Sequence, residues 1–181
     1  MKEKVFLIVQ VIFMFLTQLF FLLMCLIQKE EFLDVLLILF LTSTVLTVLI
    51  ALINVIFGVV NIFRGRSAPF KFTIVIKSIL IPWYIINFVI WALLIIGSLN
   101  PFLMMAIPLF LFISVCFTYI CMISTSTLNI SYIFNQVFFK RNIKINGGII
   151  ISTVFQFIFC LDIVGSIMLP ILVKKQLSTN L

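Results

Sequence analysis

Residues 35–63 read VLLILFLTSTVLTVLIALINVIFGVVNIF, a run without a single charged side chain. A helix crossing a bilayer needs about 20 mostly apolar residues, so this run is long enough to span and to tilt. Its small and polar residues are ordered: Thr44, Thr47, Ala51, Asn54, Gly58 and Asn61 recur in steps of three and four. With about 3.6 residues per turn, that spacing makes one stripe along a helix. Such a stripe lets transmembrane helices approach closely and hydrogen-bond across their contact. The run therefore reads as a membrane helix packed by one face, with the wall of a substrate path as the functional alternative.

Outward from it lie four more apolar segments, residues 5–27, 74–97, 102–123 and 148–173. The first exceeds the roughly 7–15-residue core of a signal peptide and has no small-residue cleavage site behind it, so it is expected to remain as a helix. The fourth turns polar at Ser124, Thr125, Ser126, Thr127, Asn129 and Ser131. An interfacial extension to about residue 139 is expected there, with Tyr132, Phe138 and Phe139 at the lipid and Lys140 and Arg141 at the headgroups. The connections are too short for a soluble domain. The predicted fold is all-α: a polytopic bundle of about five transmembrane helices, with residues 1–181 as a single integral membrane domain.

Composition agrees. Of 181 residues, 65% are apolar and 9% charged, with a mean hydropathy of +1.41. A soluble domain carries about 25% charge and about 45–50% apolar residues. A chain this size cannot hide so much apolar surface from water, which excludes a soluble enzyme, a nucleic-acid-binding domain and a disordered tail. There is no histidine, and the four cysteines (Cys25, Cys116, Cys121 and Cys160) lie in apolar stretches without C-x-x-C spacing. They read as small buried hydrophobes rather than metal ligands or a disulfide framework. No cofactor is expected.

The charges write a topology. Lys2 and Lys4 precede the first segment, Arg64, Arg66 and Lys71 follow the second, Lys77 lies just inside the third, and Lys140, Arg141 and Lys144 precede the last. The positive-inside rule places these groups, and the N-terminus, in the cytoplasm. Five crossings would then leave Lys174 and Lys175 outside, against the rule. The last segment also holds Asp162, Gly165 and Pro170, so entering and turning back is the alternative; five full crossings are the favoured reading.

Asp162 is the acidic residue inside a span, and an ionisable group there is by default a functional candidate. On a continuous helix it shares an arc of about 120° with Gly148, Ser152, Gln156 and Ser166. Two readings stand: proton or ion handling or partner recognition, and a packed hydrogen bond. Lys77 is the obvious partner, but on a continuous last helix Asp162 lies roughly 20 Å from the inner end, too deep to meet it. Lys77 is therefore expected to snorkel to the membrane surface. Gln156, Asn54, Asn61 and Asn87 complete the candidate intramembrane polar set. Pro82 and Pro108 are expected to kink their helices, and Pro101, behind Asn100, to open the fourth.

Catalysis is not expected, because no histidine, paired acid or activated nucleophile can be assembled. The order Pro69-Phe70-Lys71-Phe72, Lys77, Pro82, Asn87, Trp91, Asn100-Pro101-Phe102, Pro108, Tyr119, Thr125-Ser126, Tyr132, then Phe157-Ile158-Phe159 with Asp162 resembles a family of small multi-span membrane proteins of Gram-positive bacteria. That family is a domain of unknown function. The resemblance implies a bacterial inner-membrane protein and carries no activity or site residue with it. Two functions are expected: a non-enzymatic bundle working through a membrane-protein partner or its own copies, as an accessory subunit or immunity-type protein, or a small transporter or channel using the Asp162 face. The bilayer is the expected surrounding, and nucleic acid is not an expected partner.

Overall fold

The computed structural model describes residues 2–27, 29–65, 70–97, 106–139, 146–158 and 161–179, all helices and their turns. In chain order the helices are α1 (Lys2–Leu26), α2 (Glu30–Phe63), α3 (Phe70–Ile79), α4 (Ile81–Gly97), α5 (Ala106–Phe134), α6 (Gly147–Phe155) and α7 (Leu161–Thr179). A single π-type turn, Asn135–Phe139, ends α5. Among the described residues, four stretches are long and apolar enough to cross a membrane: Glu3–Leu26, Glu31–Phe63, Phe72–Gly97 and Ile107–Phe139.

The polarity of this bundle is inverted relative to a soluble protein. Along α2, Ser43, Thr47, Ala51, Asn54 and Asn61 are buried, while Leu37, Ile38, Leu41, Val45, Leu49, Leu52 and Ile56 are exposed. The outer residues have lipid as their natural solvent, and the inner polar groups satisfy one another. The stripe read from residues 44–61 thus packs inside the chain, against α1 and α5. Its tightest point is Gly58, where a Cβ would stand 2.6 Å from Thr127 Cγ2. Gly65, with φ of 61°, closes α2 in the left-handed conformation that glycine adopts without strain.

The third span is two helices. Pro82 has no N–H to offer the carbonyl one turn back, and the chain tightens there: Leu80 N–H reaches Ile76 O at 3.0 Å and Lys77 O at 3.2 Å. The helix is therefore interrupted at Leu80, two residues before Pro82. Pro108 instead stands in the first turn of α5 as described, where a missing N–H breaks nothing. Asn100, Pro101 and Cys160 lie outside the described residues. Cys121 is buried as expected, whereas Cys25 and Cys116 face outward, where a thiol sits as readily against lipid as in a core.

The structure departs from expectation in two places. The polar side chains of the stretch 124–139 do not face outward: Ser124, Thr125, Ser126, Asn129, Ser131, Asn135 and Gln136 are all buried, while Phe138 and Phe139 are exposed. α5 touches α2, α3, α4 and α7, so its polar residues meet other helices on several sides. The last apolar segment is also broken rather than continuous. α6 begins at an Asn146 cap, whose side chain accepts from Gly148 N–H at 3.0 Å, and ends after nine residues. α7 then runs back along it. A Cβ on Gly148 would stand 3.2 Å from Leu172, and one on Gly165 would stand 2.6 Å from the Ser152 carbonyl oxygen. The pairing of early α6 with late α7 makes an antiparallel hairpin, so the end carrying Lys174 and Lys175 returns to the side where α6 starts.

Candidate functional site

The hairpin tip decides the chemistry of the interior. The turn out of α6 tightens to three-residue hydrogen bonds, Gln156 N–H to Thr153 O at 3.2 Å and Phe157 N–H to Val154 O at 3.0 Å. That leaves carbonyls without helical partners, and Ser126 of α5 supplies one donor, its hydroxyl reaching Gln156 O at 3.0 Å. Asp162 stands in the first turn of α7, where the helix dipole favours a carboxylate.

At this tip Asp162 forms an ion pair with Lys77 of α3; the two are 2% and 1% exposed. Lys77 also donates to Ser126 Oγ at 2.8 Å, and Ser126 lies 3.2 Å from the same carboxylate oxygen. The Tyr84 hydroxyl of α4 faces Asp162 and Thr125. Lys77 is thus no surface anchor. Depth kept it apart from Asp162 only on a continuous last helix. A nine-residue α6 carries the tip about 14 Å inward, and Lys77 is about 10 Å along α3, so the turn brings the carboxylate to the ammonium.

Gln156 joins the cluster, its Oε1 lying 3.5 Å from Asn129 Nδ2. Asn54 belongs to a second one, between α1, α2 and α5: its Nδ2 donates to Gln10 Oε1 at 2.7 Å, and Gln10 donates to Ser124 Oγ at 2.7 Å. Asn61 lies toward the end of the bundle, donating to Glu3 Oε1 at 2.9 Å, while Asn135 donates to the Asn61 carbonyl at 3.2 Å. Asn87 joins neither cluster and donates to the Trp83 carbonyl of its own helix at 2.9 Å. Arg64 is exposed at the end of α2, and Lys71 is described only as a position on α3. Arg66, Lys140, Arg141 and Lys144 lie outside the described residues.

Two members of the Asp162 cluster carried no mark of their role in the sequence. Ser126 was one hydroxyl in a Ser/Thr run, and Tyr84 one aromatic beside Pro82. No group of three or more cysteines, aspartates or glutamates able to hold a metal occurs among the described residues. An apolar groove of about 230 Å³ between α5 and α6, lined by Ile133, Phe134, Ile149 and Val154, offers no polar chemistry. No curated protein and no solved structure matches the chain. A family model does, across residues 1–176, and the chain belongs to that family, described as a family of unknown function (DUF6652).

Proposed function

We propose that this protein is a non-enzymatic, multi-pass protein of the bacterial cytoplasmic membrane that moves a proton or small ion through the Lys77–Asp162 site. The observation that carries the reading is this pair, buried among α3, α4, α5 and a broken hairpin. Burying an ion pair costs several kcal/mol of desolvation per ion, and well-packed apolar residues often replace one at no loss of stability. A pair kept at that cost, beside a helix interrupted at membrane depth, is the arrangement by which transporters build ion sites. The stripe of α2, which could have served a membrane partner, is used up against α1 and α5. That weakens the reading as an accessory or immunity-type subunit.

The hairpin also supports a topology. With the N-terminus in the cytoplasm, four crossings and a returning hairpin bring the C-terminus there too, so Lys174 and Lys175 follow the positive-inside rule. The functional test is ion flux into proteoliposomes holding equal amounts of wild type and Asp162→Asn. Flux that depends on Asp162 supports the reading, and equal flux in both, or none in either, refutes it. A stoichiometric foreign protein held by an inactive wild type in mild detergent would instead establish the subunit reading.

A further inference from the structure

Beside the ion pair, three buried polar atoms meet no hydrogen-bond partner among the described residues: Asn129 Oδ1 of α5, Ser152 Oγ of α6, and Gln156 Nε2 where α6 ends. All three side chains are 0% exposed. Buried polar groups in proteins are nearly always satisfied, by protein or by ordered water. These three stand together. The other ends of the two amides face each other, Asn129 Nδ2 lying 3.5 Å from Gln156 Oε1, and Ser152 is one turn before Gln156. They also adjoin the pair. Ser126, three residues before Asn129 on α5, meets Lys77 at 2.8 Å, Asp162 at 3.2 Å and the Gln156 carbonyl at 3.0 Å.

Their chemistry selects the occupant. None of the three carries a charge, so the group that fits them is neutral. The Asn129 oxygen accepts, the Gln156 amide donates and the Ser152 hydroxyl does either. A buried water makes about three hydrogen bonds of this mixed kind.

Apolar side chains flank the place along the bundle. Toward the start of α6, the buried Ile133, Ile149, Leu169 and Val173 pack into one cluster, and Ile149 lies three residues before Ser152. In the other direction from Lys77, Leu80 and Trp83 belong to a larger core with Met14, whose carbonyl accepts from Trp83 Nε1 at 3.2 Å. The smaller cluster borders the apolar groove between α5 and α6, which Ile133 and Ile149 also line, so it has room to shift that the larger core lacks. An aliphatic constriction of this kind shuts a polar path by excluding water from it.

Resting on the transport reading above, we propose that Asn129, Ser152 and Gln156 hold bound water that joins the Lys77–Asp162 pair to the cytoplasmic side, and that Ile133, Ile149, Leu169 and Val173 form the plug that closes this route.

The test is the reaction of buried thiols with Ag⁺, a small water-borne ion that replaces the thiol proton. The purified full chain carries Ser152→Cys in a background with the native cysteines replaced by alanine. After timed exposure in chloride-free detergent buffer and quenching, the chain is unfolded and its remaining thiol is counted with a fluorescent maleimide. Ser152→Cys is expected to react about tenfold or more faster than Leu128→Cys, a position equally buried but within the apolar core. Asn129→Cys carries the same test where Ser152→Cys does not fold. Adding Ile149→Ala should speed the reaction about tenfold, whereas Met14→Ala, an equal truncation on the other flank, should leave it unchanged. Equal rates at Ser152→Cys and Leu128→Cys would overturn the water site. Acceleration by Met14→Ala and not by Ile149→Ala would overturn the cytoplasmic route. Asp162-dependent flux with an inert Ser152→Cys would overturn the water site alone; rapid reaction without flux in the wild type would overturn the transport reading alone.

Discussion

Gly165 of α7 lies so close to Ser152 of α6 that a Cβ on the glycine would stand 2.6 Å from the serine's carbonyl oxygen and 3.0 Å from Phe155 Cβ. The near atom is backbone and cannot rotate away. Gly165→Ala is therefore expected to push the hairpin apart and to destabilise the protein by about 1–3 kcal/mol. Gly147→Ala, whose Cβ would meet nothing within 4 Å, is the matched control and should fall within about 0.5 kcal/mol of wild type. Unfolding in detergent, by heat or denaturant, measures both.

The ion pair makes a second prediction, about stability alone. Lys77→Met leaves a buried carboxylate without its cation, and Asp162→Asn leaves a buried ammonium without its anion. Each single change should cost about 3–5 kcal/mol, and the double variant should cost less than either. Additive losses in a double-mutant cycle would show that the two side chains do not interact.

Topology gives a third. In a background with the native cysteines replaced by alanine, Lys4→Cys and Lys175→Cys should react with an impermeant maleimide from the same side of the membrane. Lys29→Cys, at the link between α1 and α2, should react from the other. A continuous last helix predicts the opposite result for Lys175→Cys.

The Gln10–Asn54–Ser124 cluster gives a fourth. Gln10 is fully buried and joins α1 to both α2 and α5, so Gln10→Leu strands the amide of Asn54 and removes the donor to Ser124, whose hydroxyl keeps its own bond to the Cys121 carbonyl at 2.7 Å. Interhelical hydrogen bonds in membranes average about 0.6 kcal/mol each and reach about 1.7, so the loss should be about 1–3 kcal/mol. The Lys77–Asp162 site is joined by other residues, and ion flux per folded protein should be unchanged.

Most of the fold was legible because transmembrane helices depend on apolar run length. The stretches 5–27 and 35–63 contain spans that hydropathy alone locates, and steps of three and four correctly named the inward face of α2. The hairpin was legible only as the alternative to a fifth crossing, for the same reason. Its turn falls in Gln156-Phe157-Ile158, which is as apolar as a helix interior, while Gly165 and Pro170 lie beyond it in α7. Once the segment is read as continuous, every depth computed along it is wrong, and Lys77 is sent to the surface. The polar half of α5 failed differently: periodicity shows that residues 124–136 are polar, but not that other helices surround them. Asp162 was identified because an acid inside a span is expensive wherever its partner lies.

The most direct test of a functional Lys77–Asp162 pair uses the double variant Lys77→Met with Asp162→Asn, reconstituted beside wild type. With both charges removed no ion is left unpaired, so the fold is expected to survive while proton or small-ion flux is lost. Wild-type flux from the folded double variant would contradict a functional pair and leave it as packing.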